Sequence, residues 1–480
     1  MPKLPRIAFG ALHPKTDHQP MLWALLDVLE RNGVDVQTFC SQACFVGVDR
    51  ASAITGCCHR HLDTWLMSSE VCRELFWRSA QACDLAVVEG CFHTGQHAVA
   101  NSPSTYFLSS VKHQPCGVGF PPTATAPAAQ KHPGGSLDDL CDWLDLPRFG
   151  VLNAFTKSPS EIATKRPAIA GLFLDNVQGM EHFCRAKTEL EALWGIPVLG
   201  ALEPLPSART EVHQRCCEHQ VSREACRQLG ENLLRYLDIE QLMKFARRRD
   251  FGTRPLLDLP TLAENEALQV AVAFDEAFHC YFPDTLDLLE SGGATVKTFS
   301  PLRDESLPQG TDLVYFGCGQ PEKHAEVLTR NCCMHAAIRA HVRRQGRVYA
   351  EGSGVAYLGR NMVLPNGSHV PMVGALTVDA HWQESHEVAI PTETQLTSSS
   401  WLGNTGTKIR GYLNRQWRLE VVEETPASTH TALDSRYMLS YKQLVGSLLH
   451  LHFAAQPDLL TRFFSQTPQT DLAGQQVSVT

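Results

Sequence analysis

The sequence predicts an α/β protein made of two successive domains, each built on a largely parallel sheet. Three observations lead there. Short apolar runs alternate with helix-spaced segments along most of the chain. The alternation is interrupted near 245–265 by the basic, Pro-containing stretch from Arg247-Arg248-Arg249 to Pro260. Finally, 480 residues, 43% hydrophobic and 19% charged, suffice for two or three cores. The expected domains are residues 1–245 and 265–480.

In the first domain, Ile7 to Phe9 reads as a strand and Met21 to Arg31 as a helix ending at Gly33. Val34 to Phe39 alternates as a strand. The run Cys83-Asp84-Leu85-Ala86-Val87-Val88-Glu89-Gly90 is a strand with an acid at its carboxyl end. Residues 101–135, rich in Pro, Ala, Thr and Gly, read as a surface insertion. Ile169 to Val177 and Ile196 to Leu202 are further strands, separated by a helix from about Glu181 to Trp194. In the second domain the strands are Leu268 to Phe274, Thr295 to Phe299, Leu313 to Gly317 and Arg347 to Glu351, with helices near Thr285 to Glu290 and His335 to Arg344. From Trp401 to Glu423 the alternation becomes that of antiparallel strands, and a helix near Asp458 to Phe464 closes the chain.

The composition excludes several classes. Forty-two Lys and Arg against 51 Asp and Glu give a net charge of -9, which argues against a nucleic-acid binder. No apolar run reaches about 18 residues, so no membrane span is expected, and the first residues lack the apolar core of a signal peptide. A cytoplasmic protein with reduced thiols is the expectation, despite 17 Cys. Three vicinal pairs stand near histidines: Cys57-Cys58-His59-Arg60-His61, Cys216-Cys217-Glu218-His219 and Cys332-Cys333-Met334-His335. Adjacent cysteines reach one tetrahedral ion poorly and no C-x2-C pair is present, so no metal site is assigned.

The motifs of the second half occur in order: Ala271-Val272-Ala273-Phe274-Asp275-Glu276-Ala277-Phe278, Tyr281-Phe282-Pro283, Phe299-Ser300-Pro301-Leu302-Arg303-Asp304-Glu305, Gly317-Cys318-Gly319-Gln320-Pro321-Glu322, and Tyr349-Ala350-Glu351-Gly352-Ser353-Gly354 before Tyr357-Leu358-Gly359. This set closely resembles the C-terminal glutaminase domain of the cobyrinate a,c-diamide synthase family. The first half is similar too, at Leu62-Asp63 with Trp65 and Met67, at Val87-Val88-Glu89-Gly90 and at Gly195-Ile196-Pro197-Val198-Leu199-Gly200. The resemblance implies a P-loop-NTPase-like parallel-sheet domain followed by a class-I-glutaminase-like α/β domain. Such proteins use ATP and magnesium to activate corrinoid carboxylates and amidate them with ammonia from glutamine.

This chain departs from that pattern at three places. The family's nucleophile turn, Ala-Glu-Cys-Gly-Gly, is here Ala350-Glu351-Gly352-Ser353-Gly354, so the nucleophile position is Gly352, with Ser353 as the fallback nucleophile. Gly317 and Gly319 match the glycine-rich oxyanion loop, with Cys318 in place of a glycine, and His450 in Leu449-His450-Leu451-His452-Phe453 matches the base position. The loop after the first strand, Gly10-Ala11-Leu12-His13-Pro14-Lys15-Thr16-Asp17-His18, echoes a phosphate loop weakly through Gly10, Lys15 and Thr16. However, it has Pro14 for glycine, is short, and places Asp17 where phosphate charge belongs. Glu89 stands where the family has an acidic strand end near magnesium and substrate, and Leu174-Asp175-Asn176-Val177 replaces Leu-Asn-Arg-Val. After Ile409-Arg410-Gly411, the family's His-Glu-Phe-His-type segment is replaced by Tyr412-Leu413-Asn414-Arg415-Gln416.

The reading these losses favour is a relative that has given up glutaminase and ATPase chemistry and binds a corrinoid or other tetrapyrrole in cobalamin-type metabolism. Two alternatives stay open. One is an ATP-dependent synthase using free ammonia at a remodelled site. The other is an inactive subunit beside a catalytic paralogue. A homodimer is also left open.

Overall fold

The computed structural model describes residues 4–13, 16–43, 54–92, 134–154, 167–217, 222–247, 251, 261–262, 267–383, 389–422, 431–434 and 437–465. The chain divides into two compact units, the first running to Leu257 and the second from Asp258, apart from residues 282–284 and 385–392, which group with the first. Among the described residues no helix is long and apolar enough to cross a membrane.

The first unit holds a seven-stranded sheet whose pairings are all parallel. Its strands are β1 (Arg6–Ala11), β2 (Val36–Cys40), β3 (Arg60–His61), β4 (Leu85–Cys91), β5 (Arg148–Asn153), β6 (Gly171–Asp175) and β7 (Val198–Leu202), in the order β3-β2-β4-β1-β5-β6-β7. The helices between them are α1 (Gln19–Arg31), α2 (Ser69–Ala80), α3 (Leu137–Leu144) and α4 (Gly179–Trp194), and α5 (Pro206–Cys217), α6 (Arg223–Leu233) and α7 (Ile239–Ala246) follow β7. Buried parallel strands carry continuous apolar runs, because helices cover both faces, and β1, β6 and β7 are buried at every residue. Side-chain caps start the helices where the sequence supplies them. Ser68, Ser136, Ser222 and Asp238 each accept a backbone N–H of the first turn. Gly195, at φ +63°, ends α4 in the left-handed conformation that costs glycine little. Phe9 and Phe149 meet Phe173 edge-to-face at 5.2 and 6.4 Å in the core, each ring contributing roughly 1.5–3 kcal/mol by burial.

The second unit repeats the layering. Its strands are β8 (Gln269–Ala273), β9 (Phe278–Cys280), β10 (Thr295–Phe299), β11 (Leu313–Phe316), β12 (Cys318–Gly319), β13 (Arg347–Glu351), β14 (Asn361–Val363), β15 (His369–Pro371), β16 (Val378–Trp382), β17 (Ala389–Gln395), β18 (Lys408–Asn414), β19 (Trp417–Val421), β20 (Thr431–Asp434), β21 (Met438–Tyr441), β22 (Leu444–Ser447) and β23 (Leu449–His450). The main sheet runs β10-β8-β11-β13-β22-β21-β20, parallel from β10 to β22 and antiparallel at the β21 edge. Helices α8 (Pro283–Ser291), α9 (Ala325–Arg330), α10 (Cys332–Arg343), α11 (Ser353–Leu358) and α12 (Pro457–Phe464) complete it. The strands predicted at 268–274, 295–299, 313–317 and 347–351 form with ends shifted by a residue at most, and the antiparallel stretch after 401 forms β18 and β19.

One buried carboxylate organises the turn after β8. Asp275, 7% exposed, accepts the N–H groups of Ala277 and Phe278 at 2.9 and 3.1 Å and that of Leu302 at 3.0 Å, and also the Ser300 hydroxyl at 2.8 Å. Four donors around one carboxylate are what burial of a charge requires.

Candidate functional site

The glutaminase-like centre lies where β13 turns into α11, facing the β11–β12 loop and β23. Gly352 sits between strand and helix at φ +49°, ψ −113°, a backbone conformation that side chains other than glycine's disfavour, and its N–H donates to the Ser447 carbonyl at 2.7 Å. The sharp strand-to-helix turn expected of a nucleophile position is therefore present, but without a side chain.

Cys318 fills the space in front of it. A Cβ placed on Gly352 would stand 2.6 Å from Cys318 Sγ, 3.2 Å from Asn414 Nδ2 and 3.4 Å from His450 Nε2. The sulfur thus comes from the loop opposite the turn and lies within bonding range of where a side chain at 352 would begin. Sγ is 3.3 Å from Nδ1 and 3.2 Å from Nε2 of His450. Such nearly equal distances put the sulfur over the face of the imidazole rather than in line with either lone pair, a poor geometry for taking the thiol proton. Cys318, His450 and Glu351 are 3%, 4% and 1% exposed. Burial raises the Cys318 thiol well above its ordinary range and lowers His450 to about 4. It also pushes Glu351 up to about 8, against the opposing hydrogen bonds from Tyr349 at 2.8 Å and the Leu451 N–H at 3.3 Å. At neutral pH the three groups stand as thiol, imidazole and carboxylic acid.

Ser353 points elsewhere. Its hydroxyl accepts the Gly319 N–H at 2.9 Å and donates to the Gly319 carbonyl at 3.2 Å, so it is spent on the loop that would supply an oxyanion donor. Gly317 and Gly319 are glycines for packing reasons. A Cβ at 317 would lie 2.6 Å from the Cys280 carbonyl oxygen, and one at 319 would lie 2.0 Å from that of Ala277. The Tyr281 hydroxyl donates to the Ala273 carbonyl and accepts the Gly317 N–H at 2.9 Å, holding the loop in place. Tyr281 and Asn414 are contributors that sequence reasoning passed over. Asn414 ends β18, whose Tyr412 is the register partner of His450 on β23, so the altered segment after Gly411 does reach this centre.

The first unit gathers a second group at the carboxyl ends of β1, β2 and β4. Gly10 and Gly90 are register partners, and a Cβ on Gly10 would lie 2.3 Å from the Gly90 carbonyl oxygen, so Gly10 serves close strand approach. The Thr16 N–H donates to the His13 carbonyl at 2.9 Å, and Asp17 accepts the Gln19 N–H at 3.1 Å; Lys15 and Pro14 lie outside the described residues. Two backbone donors near the start of α1 are thereby spent on the protein itself. Glu89 points to the same helix start. Its Oε2 accepts from Gln19 Nε2 at 2.9 Å and stands 3.7 Å from His18 Nε2, while Oε1 is 3.6 Å from His59 Nε2. Burial raises its carboxyl, but His18, His59 and Gln19 outweigh this and hold it below the usual carboxylate range. Asp175 is paired with Arg209, through Oδ2 at 3.2 Å, and bonded by its neighbour Asn176, which adopts φ +61°. A cavity of about 460 Å³ bordered by Asp142, Arg148 and Phe245 opens at the amino ends of β5 and β6, the opposite sheet edge from Glu89. Of the insertion at 101–135, only the last two residues are described.

Residues 269–458 match the model of the CobB/CobQ-like glutamine amidotransferase domain. Over 96% of its length the chain is 26% identical to the cobyrinate a,c-diamide synthase of Syntrophotalea carbinolica, covering 98% of that protein, and 25% identical to that of Listeria monocytogenes, with the same coverage. Among solved structures, one titled as a crystal structure of glutamine amidotransferase matches 40% of this chain and 96% of its own at 15% identity, with a TM-score of 0.31.

Proposed function

The chain belongs to the cobyrinate a,c-diamide synthase family, whose place is in cobalamin biosynthesis, and from that premise we propose that it is a corrinoid-binding member which releases no ammonia from glutamine. One observation carries this reading: Cys318 Sγ stands 2.6 Å from where a side chain on Gly352 would begin. A thioester needs a thiolate, a base in line with it and backbone donors free to hold an oxyanion. Here the elbow has no thiol, the nearby thiol is protonated over the ring face, and the Gly319 N–H is bonded to Ser353.

The nucleotide side supports the same reading. An ionised carboxylate at the start of α1 repels a triphosphate in the place where a phosphate loop would present N–H groups. A synthase fed by free ammonia would draw on that same Glu89 as a magnesium ligand, and an inactive subunit would need a catalytic paralogue. The deciding experiment has two arms on the full chain. The first is glutamate release from glutamine with Mg-ATP and cobyrinate. The second is an absorbance titration with cobyrinate and a siroheme-like tetrapyrrole. The reading expects no glutamate above background and saturable pigment binding. Steady glutamate release abolished by Cys318→Ala or Ser353→Ala would overturn it, and ATP-dependent amidation from ammonium would establish the synthase instead.

A further inference from the structure

Two sets of Cys, His and Glu side chains converge closely enough to share an ion among the described residues: Cys318, Glu351 and His450, and Cys40, His59 and Glu89. The first set is sealed from solvent and its groups are held neutral, which leaves an ion no entry path and no ligand charge. The second set differs on both counts.

Cys40 is the last residue of β2 and Glu89 is its register partner on β4, so in a parallel pair the two side chains leave the same face of the sheet. His59 arrives from the segment just before β3. The three ligand atoms lie within 4.8 Å of one another, and the site is only partly covered, with His59 and Glu89 side chains 11% and 13% exposed. His59 Nε2 and Glu89 Oε1 are 3.6 Å apart. Two light ligands on a tetrahedral zinc at about 2.0–2.1 Å are separated by roughly 3.3 Å, so a small adjustment seats both. His59 Nδ1 lies 2.9 Å from Thr38 Oγ1. In the tautomer that donates this hydrogen bond, the Nε2 lone pair faces Glu89, which is the arrangement in which metal-bound histidines are held. Glu89 is ionised, and with a thiolate at Cys40 the two negative charges balance a divalent ion.

The position in the fold points the same way. From β1 the chain passes to β2 and β3 on one side, returns through β4, and then builds β5, β6 and β7 on the other. Ligands of open α/β sheets gather at the carboxyl ends of the strands where the order reverses in this manner. A thiolate in the set selects against magnesium and for a softer divalent ion.

We propose that Cys40, His59 and Glu89 form a site for a divalent transition metal such as zinc or cobalt, leaving a fourth position open to water or to a carboxylate of a ligand. The inference stands apart from the fate of glutamine chemistry, since it uses none of the second unit's residues.

The test uses full-length protein stripped with a chelator and titrated with cobalt(II) under argon. One equivalent should produce visible bands of tetrahedral cobalt together with a thiolate-to-cobalt charge-transfer band. Cys40→Ser should abolish the charge-transfer band, Glu89→Gln and His59→Gln should weaken binding at least tenfold, and Thr38→Val should weaken it by about 10–100-fold. Cys184→Ser, on an exposed helix face, should change nothing. Absence of stoichiometric binding, or a band that survives Cys40→Ser, overturns the site and leaves an imidazole–carboxylate network. Should Cys40→Ser fail to fold, X-ray absorption on the zinc-loaded native chain decides: one sulfur among four ligands supports the site, and none or several refutes it.

Discussion

Replacing Gly352 with Ala, with and without Cys318→Gly, tests whether the sulfur occupies the turn. In Gly352→Ala the new Cβ stands 2.6 Å from Cys318 Sγ, where atoms pack at about 3.5–4.0 Å. Overpacking of this kind costs about 1–3 kcal/mol. The backbone at φ +49°, ψ −113° adds strain of about 1–3 kcal/mol for a residue with a side chain. The single variant should therefore lose about 2–6 kcal/mol, a large share of the 5–15 kcal/mol typical of a domain. Cys318→Gly removes the steric part but not the strain, so the pair should be more stable than the sum of the singles by about 1–3 kcal/mol. Urea unfolding at matched m-values measures the cycle. If the two changes add within about 0.5 kcal/mol, the sulfur does not press on the turn and the account of the emptied centre fails. The same pair offers a gain of function. Gly352→Cys with Cys318→Gly places a thiol on the turn, with its Cβ 3.4 Å from His450 Nε2, so glutamate release should be higher there than in Gly352→Cys alone, where both sulfurs compete for one space.

Three further outcomes follow from the same geometry. Folded Glu351 keeps its proton up to about pH 8 against an ordinary value of 4.5, so the folded state binds more protons in that window and stability falls as pH rises through it, by about 1.4 kcal/mol per unit. Glu351→Gln should remove that fall, and a wild-type-minus-variant difference in Tm that stays flat from pH 5 to 8 would contradict it. Asp275→Ala leaves three backbone N–H groups and a hydroxyl without their acceptor and should destabilise by at least about 3 kcal/mol in urea, with Asp275→Asn intermediate; a loss below 1 kcal/mol would refute the role given to this carboxylate. Titration calorimetry with Mg-ATP should show no saturable binding, because three missing charge-assisted contacts at about 1.5–3 kcal/mol each carry a micromolar site beyond millimolar; a micromolar Kd would revive the synthase.

The sequence alone determined the two α/β units, most strands within a residue or two, and the family. Continuous apolar runs such as 85–88 and 313–316 can only be strands of a covered parallel sheet, and the ordered motifs of the second half leave little freedom in register. It also located the empty nucleophile position, because Tyr349 to Glu351 and Tyr357 to Gly359 flank Gly352 without a gap. What it could not provide was company. Cys318 reads in sequence as an altered oxyanion loop, 34 residues from the turn it fills, and Ser353 reads as a candidate nucleophile until its hydroxyl is seen bonded to Gly319. Likewise Cys57, Cys58 and His59 are adjacent in the chain, yet the donors that converge on His59 are Cys40 and Glu89, from two strands that only sheet pairing makes neighbours. Local patterning fixes elements because burial periodicity is a short-range property. Which side chains meet is set by strand order and register, where a one-residue slip turns a ligand to the opposite face of the sheet, and that lies in the tertiary structure.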